Sequence, residues 1–64
     1  MYFEMLEDYP DIMTAEEAME ALGIRRNLFY QLVRNGELKA SRIGKKLWRV
    51  QKKSVLEFME AHAL

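Results

Sequence analysis

The sequence predicts a single small domain, mainly α with one small β-hairpin, in the order helix, turn, helix, hairpin, helix. Three observations lead there. Apolar residues recur at helical spacing in three separate stretches. Gly23 and Gly36 close the first two of these, in positions suited to left-handed caps. Between the second and third stretches the period drops toward two, broken at Gly44-Lys45-Lys46. With 64 residues and no cysteine, the domain rests on one apolar core. A disulfide frame is excluded, and with one histidine no metal cluster of the usual kind is available, so neither metal nor cofactor is expected.

The chain divides into an acidic, apolar segment at 1–12 and a folded domain at 13–64. The segment carries Glu4, Glu7, Asp8 and Asp11 beside Tyr2, Phe3, Met5, Leu6 and Tyr9, and Pro10 disfavours helix at Tyr9. A solvated tail rarely holds so many apolar groups, so part of it is expected to pack on the domain or on a neighbour. Being negative and apolar, it complements a basic surface. It is therefore expected to contact a protomer or partner bound alongside.

Thr14-Ala15-Glu16-Glu17 forms a capping box for the first helix, whose apolar side is Ala15, Ala18, Met19 and Leu22. The second helix lies between Gly23 and Gly36. Phe29, Leu32 and Val33 share one of its faces, and Arg26, Asn27, Tyr30, Gln31 and Arg34 share the other. Leu38–Ile43 and Leu47–Val50 read as two strands. Two strands alone are marginal in water, so Leu38, Ile43, Trp48 and Val50 are expected to close over the helices. Gln51–Ala63 forms the last helix, with Val55, Phe58, Met59 and His62 on one face. Trp48 is expected in the core, and His62 as a packed helix-end residue.

The formal charge of zero hides a segregation. Residues 1–20 hold seven acids and no base, whereas residues 21–53 hold all ten bases and one acid, Glu37. The local field decides which ligand is steered to a surface, so the middle block points to a polyanion. Enzyme readings fail because no acid pairs with a histidine, no glycine-rich phosphate loop exists and no thiol is present. No apolar run spans a bilayer, no small-molecule ligand is implied, and the acidic N-terminus is unlike a secretory signal. The expected location is cytoplasmic and nucleoid-associated.

Two helices joined across Gly23-Ile24-Arg25 form a helix-turn-helix layout, in which the second helix enters a DNA groove. Its polar face lacks any acid and consists of long donors plus one aromatic. Arg26, Asn27 and Gln31 are the candidates for base contacts, since arginine pairs with guanine and asparagine or glutamine with adenine. Asn27 can instead cap its own helix. Tyr30 is assigned to phosphate, with partial burial against the hairpin as its alternative. The remaining phosphate candidates are Arg25, Arg34, Arg42, Lys45, Lys46 and Arg49. A hairpin placed directly after the second helix can lay Lys45 and Lys46 along the backbone beside that groove.

Met13-Thr14-Ala15-Glu16-Glu17-Ala18, Leu22-Gly23-Ile24, Tyr30 to Leu38, Arg42-Ile43-Gly44 and Trp48-Arg49-Val50 together resemble the excisionase-type winged helix-turn-helix domain, which is related to the DNA-binding head of MerR-type regulators. The resemblance covers about residues 13–60. It implies that the second helix, with Arg25, Arg26, Asn27, Tyr30 and Gln31, reads the major groove. It also implies that the wing, with Arg42, Lys45, Lys46 and Arg49, lies on the backbone or minor groove. Two positions depart from the pattern. Arg25 stands where the family usually has serine or threonine as N-cap, and Gln51 where it usually has proline.

The expected function is sequence-specific binding of double-stranded DNA, as an excisionase or recombination directionality factor that binds and bends DNA for a site-specific recombinase. The chain holds the binding domain without the coiled coil or effector pocket of MerR-type regulators, which favours a small architectural role. Further protomers on adjacent sites and an integrase are the implied partners. The alternatives are a small stand-alone transcriptional regulator with the same contacts, or an interaction module that recruits a recombinase through its acidic N-terminus.

Overall fold

The computed structural model describes residues 6–44 and 47–62. In chain order the elements are β1 (Ile12–Thr14), α1 (Ala15–Leu22), α2 (Arg26–Arg34), β2 (Ser41–Ile43), β3 (Leu47–Gln51) and α3 (Lys52–His62). These are the three helices and basic hairpin that the periodicity predicts, with one strand added. They form a winged helix-turn-helix.

α1 starts at the capping box. Thr14 Oγ1 accepts from the Glu17 amide at 3.1 Å, and Glu17 Oε1 accepts from the Thr14 amide at 2.9 Å, so two donors without helical partners are satisfied reciprocally. Its end is a left-handed turn at Gly23, φ 67°, where the Gly23 amide donates to Glu20 and the Ile24 amide to Met19. α2 ends the same way. Gly36, at φ 78°, donates to the Val33 carbonyl, and Glu37 donates to Leu32 at 2.9 Å. An L side chain at φ near +70° is strained, which is why each turn carries glycine.

The sheet has three antiparallel strands in the order β1-β3-β2, so β3 is central. Met13 pairs with Val50, and both are fully buried. β1 was not expected. Ile12-Met13-Thr14 is too short to show a period of its own, and its partner lies far along the chain. Its presence changes the hairpin from a marginal two-stranded element into the edge of a sheet anchored in the core. β2 begins only at Ser41, and Leu38 is buried ahead of it in the turn. Gln51 closes β3 rather than opening the last helix.

The core comprises Leu6, Met13, Ala15, Ala18, Met19, Phe29, Leu32, Leu38, Val50, Val55, Phe58 and Met59. Register corrects one assignment. Opposed residues in an antiparallel pair share a face, and successive residues alternate. Val50, Trp48 and Arg42 therefore line the inner face, while Ile43, paired with Leu47, points outward and is 58% exposed. Trp48 is only half-buried, packed against the core rather than within it. His62 is exposed, yet its ring stacks on Phe58 at 4.1 Å and its Nδ1 lies 2.9 Å from the Phe58 carbonyl.

Residues 6–12 are tied to their own domain. Leu6 is in the core, the Lys52 ammonium donates to the Tyr9 carbonyl at 2.9 Å, and the Lys52 amide donates to the Asp11 carbonyl at 2.8 Å. The Tyr9 hydroxyl donates to Glu20 Oε1 at 2.7 Å, and that bond to a carboxylate raises the phenol pKa above its ordinary value. Residues 6–11, which precede the boundary expected after residue 12, make these contacts with the chain's own domain. Residues 1–5 lie outside the described part.

Candidate nucleic-acid interface

α2 divides its circumference between two tasks. Phe29 and Leu32 are buried, Val33 and Tyr30 are half-buried, and Arg26, Asn27, Leu28, Gln31 and Arg34 are exposed. Asn27, Gln31 and Arg34 stand at i, i+4 and i+7, so they form a single outward row. Arg26 is set to one side, its guanidinium 3.6 Å from Glu16 of α1, with both groups largely exposed. Such a pair is weak in water and leaves Arg26 free to exchange a carboxylate for a nucleic-acid acceptor.

The start of α2 lacks the usual protection. Arg25 occupies the N-cap in extended conformation, φ −91° and ψ 167°, and makes no side-chain cap bond. The first turn contains no acid. Asn27 therefore does not cap the helix from the N-cap position, which leaves its amide outward.

Beside this helix the inner face of the hairpin forms a stack. The Phe29 and Tyr30 rings are 5.3 Å apart and nearly perpendicular, the Tyr30 and Trp48 rings are 6.0 Å apart, and the Arg42 guanidinium sits 5.6 Å from the Trp48 ring centre. A cation held over an indole keeps a preferred position without losing its hydrogen-bond donors. Tyr30, Val33, Arg34, Arg42 and Trp48 line an open cleft of about 350 Å³ between α2 and the hairpin. Two arginines and no acid face this space, so the cleft suits an anion.

Of the predicted phosphate ligands, the structure brings Tyr30, Arg34 and Arg42 together here. Arg25 lies exposed at the start of α2. Arg49 stands apart. Paired with both Thr14 and Ser41, it lies on the outer face, and its Nη1 donates to the Trp48 carbonyl at 3.0 Å. Lys45 and Lys46 fall outside the described residues. Sequence reasoning missed Leu28, 41% exposed next to Asn27. Its position one residue off the Phe29-Leu32-Val33 stripe was the available signal.

A slightly larger groove, about 380 Å³, shares no residue with α2. Leu6, Ile12 and Leu56 line it, together with Asp11, Gln51 and two lysines, one of which already serves the Tyr9 carbonyl. The Lys52 ammonium also lies 3.7 Å from the Asp11 carboxylate, so these two groups are paired with each other. Among the described residues there is no cluster of three or more metal-ligating side chains, and no helix is long and apolar enough to cross a membrane.

No curated relative and no solved structure matches the chain. One family model does. Described as a helix-turn-helix domain, it matches residues 12–63, from the first paired strand to the end of the last helix. With an exposed, acid-free helix face, an arginine-lined cleft and this match over most of its length, the chain belongs to the helix-turn-helix domain family and is a DNA-binding domain.

Proposed function

We propose that this protein binds double-stranded DNA sequence-specifically with α2 in the major groove, and that it acts as an excisionase-type accessory factor that bends DNA for a site-specific recombinase. The observation that carries the DNA-binding part is the continuity between the outward row of α2 and the cleft beside it. Asn27, Gln31 and Arg26 supply base-edge donors and acceptors, and Leu28 supplies an apolar contact suited to a thymine methyl. Arg34 and Arg42 converge from helix and wing on the strand that borders the groove. Tyr30 forms the wall between them. Phosphate contacts fix register, and base contacts set sequence.

The recombination role rests on the resemblance of the gapped motifs to excisionases. In this reading the protein has no catalytic centre, no cofactor and no small-molecule ligand, and it works in the cytoplasm on the nucleoid. Other protomers on adjacent sites and an integrase are its partners. The same contacts serve a transcriptional regulator, and the two roles separate in a reconstituted reaction. An excisionase changes the direction of integrase-catalysed recombination on element-end DNA, whereas a regulator changes only transcription from a neighbouring promoter.

Binding itself is tested by fluorescence anisotropy across a salt series. If about 4–6 phosphates are neutralised, log K falls with log salt at a slope of roughly −4 to −5. Arg34→Ala combined with Arg42→Ala should flatten that slope by about two and weaken all sequences alike. An unchanged slope removes the cleft from the interface.

A further inference from the structure

The sheet carries positive charge on both of its faces. Arg42 lies inward, over Trp48, in the cleft beside α2. Arg49 lies outward, opposite Ser41. On that outer side Lys39, Ser41, Arg49, Gln51 and Ser54 line a second open cleft, of about 200 Å³. The segment leading into β2, the two wing strands and the first turn of α3 build it, and it shares no residue with the α2 cleft.

Its lining points to an anion. Two cations, two hydroxyls and a carboxamide converge, and no acid stands among the described residues around them. Glu37 and Glu57 belong to the neighbouring hollow beside His62, which meets this one at Lys39 and Ser54. Arg49 is half-buried, and its Nη1 is held by the Trp48 carbonyl at 3.0 Å. That bond fixes the guanidinium in place and leaves other donors for a ligand. A guanidinium, an ammonium and hydroxyl donors around one space match a phosphate group, whose acceptor oxygens point in several directions.

We propose that the outer cleft holds a backbone phosphate of a second DNA duplex, so that one molecule ties two duplex segments together. The inference rests on the DNA-binding reading above and adds to it a second site, a second ligand and a linking role. In that reading α2, Arg34 and Arg42 engage the first duplex from the inner side of the sheet. The outer cleft opens on the other side, where its charge is not neutralised by that duplex and still attracts a polyanion. Contacts to phosphate carry no sequence information, so the second duplex is held whatever its sequence. With about two phosphates neutralised, this hold should weaken roughly tenfold between 50 and 200 mM salt.

The test mixes the full chain with a duplex selected for tight binding and a duplex of random sequence, each carrying its own dye. Energy transfer between them reads bridging. Wild type should bring the two together at low salt and release them as salt is raised. Lys39→Gln with Arg49→Gln should weaken bridging at least tenfold. Its circular dichroism, its affinity for the selected duplex alone and the salt slope of that affinity should remain those of wild type. Lys39→Glu, a change at an exposed position, should weaken bridging as far, and it decides the matter if the double variant unfolds. Absence of bridging by wild type overturns the proposal, as does a folded variant that bridges normally. A flatter salt slope on the single duplex also overturns it, because the cleft would then sit on the same duplex as α2. So does a loss of self-association in sedimentation alongside the loss of bridging, since the cleft would then hold carboxylates of a second copy. Failure of wild type to bind any duplex would sink the DNA reading itself, an outcome distinct from these.

Discussion

α1 and α2 are of nearly equal length and end in the same glycine turn, yet they begin in opposite ways. α1 has a complete capping box and two acids in its first turn, Glu16 and Glu17, which suit the positive end of the helix dipole. α2 has an arginine at its N-cap, no side-chain cap, and no acid in its first turn. Local stability favours the first arrangement at both helices. That only one helix adopts it shows where stability has been given up. The N-terminal turn of α2 is left open, with positive charge around it, on the helix whose outward row meets the cleft. The helix that serves the fold is finished locally, and the helix proposed to read DNA keeps an open N-terminal turn.

The comparison can be broken first through the inward side of α2. Phe29→Ala should cost about 3–5 kcal/mol, comparable to the whole stability of so small a domain. Its far-ultraviolet circular dichroism at room temperature should therefore be that of a largely unfolded chain. A cooperative melt near that of wild type would mean that α2 is not anchored by this ring.

On the outward row the expectation inverts. Gln31→Ala should leave the melting temperature unchanged while costing roughly 1–3 kcal/mol on a cognate duplex and little on random DNA. Equal losses on both duplexes would place Gln31 on phosphate. Thr14→Ala removes the cap of α1 and should lower stability by about 1 kcal/mol, measured in urea, with DNA affinity per folded molecule unchanged. The smallest effect belongs to Arg25→Ser. Supplying α2 with the missing cap should stabilise the fold by about 0.5–1 kcal/mol and weaken DNA binding with a flatter salt slope. A variant that gains stability and keeps full affinity would show that the open N-terminus has no part in binding.

Much of this was legible because it is local. A capping box, glycine stops and an i, i+3, i+4 stripe lie within a few residues of one another, so both ends of α1 and the C-terminal end of α2 follow from the sequence, whereas the uncapped start of α2 carries no such signal. The polar face of α2 was legible for the same reason. The sheet was harder. β1 has three residues, and its pairing with β3 is set by burial of Met13 against Val50, which no local pattern reveals. Ile43 was misassigned because alternation fixes a face only once its phase is known, and a shift of one residue reverses it. Register across the turn places Trp48 inward and Ile43 outward, and it separates Arg49 from Arg42. Of the apolar residues of the N-terminal segment, Leu6 and Tyr9 pack on the domain. Their apolar character did not say onto what they would pack, and Leu6 enters its own core.

The pairing of Met13 with Val50 has a kinetic consequence. Both helices of the helix-turn-helix lie inside the loop that this contact closes. Short helices form within about a microsecond, but neither can be secured against this sheet until the two distant strands meet, and closing such a loop costs chain entropy before any burial repays it. Folding should therefore wait on strand docking rather than on helix formation, with local order rising and falling many times before the chain commits. In the native state the same closure works in reverse. Amide hydrogens at Met13 and Val50 should exchange with solvent only when the whole domain opens, whereas those of Ser41 to Ile43, on the opposite edge strand, can exchange through fraying of the wing alone.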